Sequence, residues 1–238
     1  MAQDKARQST SPESKAHNPQ KPTRLSLSLA CFFALSGMAA AATPTIPTND
    51  PNALVDKLNQ GQCPHNNCYN IAWKSGDREG VATGSMAGNW NFGDTNSYGD
   101  VSHYTYASIA AAYKDGGFSK NVMFARGARV DYLEYNLKNV SGNPSWVGLK
   151  NDSGDHNTDL SIGTFNIKGS AYFELKPTGK STIDTLNNQG EKLNLKVGPN
   201  ENNPPSNASL TIKTLNQLTN GDSQIFKNVS VEHFNLYA

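Results

Sequence analysis

The stretch RVDYLEYNLKNV, residues 129–140, places Leu133, Tyr135 and Leu137 on one parity, with charged or amide side chains between them. Side chains of an extended chain point alternately to opposite faces, so a period of two marks a strand with one face buried and one solvated. The same alternation returns downstream. DLSIGTFNIKG (159–169), SAYFELKP (170–177), KLNLKVG (192–198) and NASLTIKTL (207–215) all carry it. In IFKNVSVEHFNLYA (225–238), Val229 and Val231 share one parity and Phe234 and Leu236 the other, a switch that predicts a bulge. Clusters of Asn, Gly and Pro separate the runs, and NENNPPSN (200–207) reads as an exposed loop. Short strands with turn signals between them predict a mainly β protein, with an antiparallel barrel or sandwich over 121–238. No tandem repeat is evident.

Upstream the style is mixed. DPNALVDKLNQG (50–61) reads as a short helix: Asp50 can cap it, Pro51 suits the first helical position, Leu54 and Leu58 share a face, and Gly61 can end it. YNIAWKSG (69–76) reads as a strand. Residues 76–100 are rich in Gly, Asn, Asp and Ser, with Trp90, Phe92 and Tyr98 among them, and read as a long loop or irregular hairpin. SHYTYASIAAAYKDGG (102–117) fits either a helix or a strand. The helix is preferred, because Ser102 caps it, Gly116 or Gly117 ends it and alanine favours it. It would set His103, Tyr106, Ala107 and Ala110 on one face. The chain therefore divides into a loop-rich α+β half at 43–120, the expected ligand-binding half, and a β half at 121–238.

The N-terminus gives the compartment. LSLSLACFFALSGMAAAA (25–42) follows a polar stretch holding Lys5, Arg7, Lys15, Lys21 and Arg24. A basic lead, a short apolar core and a small-residue ending make residues 1–42 a signal peptide. Apolar residues continue past Cys31, and Ser28 stands three positions before it, so Cys31 reads as part of the signal and not as a lipidation site. Cleavage after Ala42 would remove five of 21 basic and two of 20 acidic residues, leaving a net charge of −2. That charge provides no basic footprint for nucleic acid. Export also leaves two cysteines, Cys63 and Cys68, and an even count in an oxidising compartment predicts a disulfide. Such a small ring, CPHNNC, removes little unfolded-state entropy and is better suited to fixing the geometry of Pro64 and His65.

No nucleophile elbow, phosphate loop, dinucleotide fingerprint or zinc-protease helix occurs, so an enzyme is not expected. GSMAGNW and NWNFGDTN could belong to a carbohydrate loop but read more simply as a hairpin with buried aromatics. NDSGDHNTD (151–159) and NGD (220–222) read as solvated turns and not as calcium loops. His156 falls in a polar loop, and His233 shares parity with Val229 and Val231, beside the core. His65 and His103 differ. The first is held on the stapled turn, and the second lies beside tyrosines and small alanines that would let a flat apolar ligand approach. Neutral imidazole is an axial ligand of haem iron. These two histidines are the candidate ligands, and Tyr104, Tyr106, Tyr113 and Met86 are the candidate pocket.

The arrangement resembles the hemophilin family of bacterial hemophores. The likeness lies in layout: an exported chain of this size, a loop-rich N-terminal half, and a C-terminal β half ending on an aromatic-aliphatic strand such as VEHFNLYA. The resemblance implies an eight-stranded C-terminal barrel, export by a Slam-type outer-membrane translocator, and non-covalent b-type haem carried as cargo. It also implies delivery to a TonB-dependent outer-membrane haem receptor, with the protein secreted or on the outer face of the outer membrane after passing the periplasm. Host-interaction proteins (adhesins) and metal-capture proteins of the same export class are the alternatives.

Overall fold

The helix forms where its signals lie. The computed structural model describes residues 50–63, 66–84, 90–93, 101–114, 119–125, 127–140, 146–151, 159–169, 172–198 and 206–237. In it, α1 spans Pro51–Asn59, Asp50 accepts from the Asn52 amide at 2.9 Å, and Leu54 and Leu58 are buried. Cys63 and Cys68 follow at disulfide distance, their Cα atoms 5.7 Å apart.

Strands make up the other regular elements. They are β1 (Asn67–Ser75), β2 (Arg78–Gly84), β3 (Trp90–Phe92), β4 (His103–Tyr104), β5 (Tyr106–Tyr113), β6 (Ser119–Phe124), β7 (Arg129–Asn139) and β8 (Trp146–Asn151). Then come β9 (Leu160–Gly169), β10 (Tyr172–Leu175), β11 (Lys180–Asn188), β12 (Lys192–Leu195), β13 (Ser209–Gln217), β14 (Asp222–Ile225) and β15 (Val229–Leu236). The larger sheet runs β15-β13-β11-β9-β7-β5-β1-β2, with β4 also on β7, and the smaller runs β14-β12-β10-β8-β6-β3.

From β5 onward the chain alternates between the sheets, and every pairing of these strands with one another is parallel. Each turn of the chain thus lays one strand on each sheet, which is the winding of a β-solenoid. The antiparallel, eight-stranded barrel is corrected on both counts: the neighbours are parallel, and among the described residues the two sheets are open stacks of rungs whose end strands do not pair with each other. The period-two pattern reports burial on one face and is blind to strand direction. One-sided alternation usually signals antiparallel pairing, because helices normally cover both faces of a parallel sheet. Here the crossover is another strand, so one face stays solvated.

The interior is built of rows that cross the coils. Val130, Ile162, Ile183, Ile212 and Val231 are in register, as are Leu133, Phe165, Leu186, Leu215 and Phe234. From the smaller sheet, Phe173, Leu175, Leu193 and Leu195 are buried against them. The rings of Tyr135, Phe165 and Phe173 meet edge-on at 5.0 to 5.6 Å between centroids. Between the two rows the pairing skips one residue on every strand: Asp131, Gly163, Asp184, Lys213 and Glu232. The parity switch at Glu232 and His233 is therefore real, but both partners bend together, so it is a bend shared by every coil and not a one-sided bulge. At Gly163 a Cβ would lie 2.6 Å from the Asp131 carbonyl oxygen, so the bend brings backbones closer than any side chain allows.

The register also exposes a repeat that sequence reading missed. LSIGTFNI (160–167), STIDTLNN (181–188), LTIKTLNQ (210–217) and VSVEHFNL (229–236) superpose position by position. Loops of unequal length separate them, which hides the repeat from a search at fixed period.

At the other end, β1 and β2 form an antiparallel hairpin, and β1 joins β5 in antiparallel register. β5 is the corrected helix. All eight of its residues are buried, with Ala107, Ile109, Ala111 and Tyr113 facing the main core and Ala110 and Ala112 facing Leu54 and Leu58 of α1. The alanines serve close packing on both faces of a central strand, and tertiary burial overrides their helix propensity. The boundary expected near residue 120 falls between β5 and β7, strands that pair within one sheet, and a single apolar cluster takes residues from both sides.

Candidate functional site

His103 opens the two-residue strand β4, which pairs with β7 opposite Arg129. Its side chain is half exposed, and Nε2 lies 2.9 Å from Asp131 Oδ2. Asp131 Oδ1 accepts from Arg129 Nε at 2.9 Å. Partial burial pushes the Asp131 carboxyl up, but hydrogen bonds from His103 and Arg129, and their charge, outweigh it and hold it below the ordinary value. Ser75 Oγ donates to the His103 carbonyl at 2.5 Å. A haem iron approaching Nε2 would have to displace the carboxylate.

The three tyrosines among the pocket candidates face different ways. Tyr104 is fully buried, with Trp73, Phe92 and Phe124 around its ring at 5.5 to 6.2 Å. Tyr106 lies on the opposite face, stacked on Tyr132 at 6.0 Å, and burial pushes its hydroxyl well up. Tyr113 is fully buried in the main core at the far end of β5. His103 thus faces solvent, Tyr104 and Tyr113 face the interior, and Tyr106 faces outward beneath its neighbours. His65, Met86 and His156 lie outside the described residues. His233 is exposed on β15 rather than beside the core, because the bend ends the parity it shares with Val231. Among the described residues no cluster of three or more metal-ligating side chains forms, and no helix is long and apolar enough to cross a membrane.

A different constellation lies on the outer face of the larger sheet. The Lys168 ammonium and the Tyr132 hydroxyl both donate to Glu134 Oε2, at 3.0 and 2.9 Å. Burial and the bond to Glu134 push the Tyr132 hydroxyl up to about 12. Asn166 Nδ2 donates to the Tyr132 oxygen at 2.8 Å, Asn187 to Asn166 at 2.7 Å, Asn216 to Asn187 at 2.7 Å, and Asn235 to Asn216 at 2.9 Å. One chain of hydrogen bonds therefore crosses five strands. Beside it run two hydroxyl-bearing rows. Ser161, Thr182, Thr211 and Ser230 form one, with contacts of 3.4 Å between Thr182 and Ser161 and 3.3 Å between Ser230 and Thr211. Thr164, Thr185 and Thr214 form the other, which His233 continues without a hydroxyl. Charge is concentrated at the bend, where Lys213 meets Asp184 at 2.7 Å. Sequence reading missed this face. Its signal was the triplet Thr-x-Asn at 164–166, 185–187 and 214–216, with His-x-Asn at 233–235.

No protein-family model, curated protein or solved structure matches the chain.

Proposed function

We propose that this chain is an exported recognition protein of the adhesin class, whose contact face is the outer surface of the larger sheet. The observation that supports it is the parallel set of two hydroxyl rows and one asparagine ladder on that face. Hydroxyls and amides both donate and accept, which is the chemistry needed to exchange hydrogen bonds with a hydroxyl-rich glycan. The rows are held on strands spaced at roughly 4.8 Å, so the array is ordered before any ligand arrives and little ordering entropy is lost on binding. Export follows from the signal peptide expected at 1–42. The haem reading is less favoured, because the Nε2 atom of His103 is engaged by Asp131 and the tyrosines expected around a porphyrin pack in different directions.

Probing the full chain on a glycan array tests the proposal. Binding to a subset of glycans is expected, weakened about tenfold or more by Thr182→Arg, which places a large charge on an exposed position of the hydroxyl row. Haem titration of the same protein is the counter-test. A low-spin, bis-imidazole spectrum that disappears in both His65→Ala and His103→Ala would reject the adhesin reading and restore the carrier.

A further inference from the structure

β15 is the last strand of the larger sheet and pairs on one side with β13. Its inward row does not end in a polar cap. Phe234 continues the row of Leu133, Phe165, Leu186 and Leu215, yet Phe234 is 54% exposed where Leu215 is 0%. Leu236 and Tyr237 are 62% and 61% exposed, and Ile225 on the neighbouring β14 is 51% exposed. Natural sheet edges are usually blunted by lysine, proline or a strand-breaking bulge. β2, at the other edge of this sheet, carries Arg78 and Glu79. β15 carries neither lysine nor proline, and its two ionisable residues are adjacent at its centre.

The sequence of that edge, VSVEHFNL, is a chemical palindrome. Read from either end it runs apolar, polar, apolar, ionisable, ionisable, apolar, polar, apolar. The bend shares that symmetry, since the inward residues Val231 and Phe234 stand equally on either side of the midpoint between Glu232 and His233. We propose that two copies of this chain join through β15, edge to edge and antiparallel, about a two-fold axis between Glu232 and His233. In that register Val229 faces Leu236 of the other copy, Ser230 faces Asn235, Val231 faces Phe234, and Glu232 faces His233. Each pair occurs twice, as a closed isologous interface requires. Inward side chains meet inward ones, the bends coincide, and both central pairs join an acid to a base. A register shifted by one residue would oppose inward to outward positions. The asparagine ladder then ends against Ser230 of the other copy.

Sedimentation of the full chain tests this, with a dimer expected. His233→Glu would set glutamates opposite each other twice and is expected to raise the dissociation constant at least about tenfold. The double variant Glu232→Lys, His233→Glu restores opposite signs and is expected to recover the dimer. Both positions are exposed, so neither change disturbs the core. Register is read with Ser230→Cys, Asn235→Cys, which should give an oxidised dimer linked between copies. Within one chain those positions are about 16 Å apart along the strand, beyond disulfide reach. A monomer at all concentrations overturns the proposal. So does a dimer indifferent to His233→Glu, or one in which the cysteine pair does not cross-link.

Discussion

Asn187 shows how one side chain can belong to a lattice. It donates to Asn166 and accepts from Asn216, both at 2.7 Å, on a half-buried face. Each such bond contributes roughly 0.5–1.5 kcal/mol net, and the partners left behind would be only partly rehydrated. Asn187→Ala is therefore expected to lower stability in urea unfolding by about 1–3 kcal/mol. Asn235→Ala, which removes one bond from an exposed rung, should cost less than half as much. Equal losses would mean that the ladder does not act as a connected series. These asparagines were legible only in hindsight. Asparagine in a single sequence signals a turn, because its side chain competes for the backbone, and nothing local says that three others will lie above and below it. His103 is a related case. The chemistry that suits His103 to iron suits it equally to a carboxylate, and Asp131 reaches it only because β4 and β7 pair across a long stretch of sequence.

The elements themselves were largely readable. The helix at 51–59 and the strands built on Leu133, Ile162, Phe173, Leu193, Leu210 and Val229 lie where alternation and capping put them. β5 was not, because ASIAAA suits a helix by propensity, and only its position between β1 and β7 makes it a strand. Small size is what that position needs. Ala110 and Ala112 lie under Leu54 and Leu58, so α1 rests directly on the sheet. Ala110→Leu is expected to lift the helix and to destabilise by about 1–3 kcal/mol, the usual effect of overpacking. Thermal unfolding measures this. Proton resonances of Leu54 and Leu58 should shift strongly, while those of Leu193 and Leu195 should not. An unperturbed α1 would mean that the helix is not packed on these alanines.

A stack in which each coil touches only its neighbours distributes stability along its axis rather than around one centre. Hydrogen exchange should follow that gradient. Amides of β9 and β11, covered on both sides by further rungs, are expected to exchange slowest. Those of β14 and β15 should exchange faster at low protein concentration and slow as two copies pair. Uniform protection across all the rungs would argue for one cooperative block instead. Strand direction and coil winding were beyond sequence reading, because the loops between equivalent positions differ in length while the inward residues report only burial. The parallel stacking also has a mechanical meaning. The hydrogen bonds between rungs point along the stack axis, so a pull along that axis loads them in series. The outermost coil would peel first, and each coil released would lengthen the tether while the rungs beneath it stay folded. Under load such a stack would then yield by stages, as a brake rather than a brittle link.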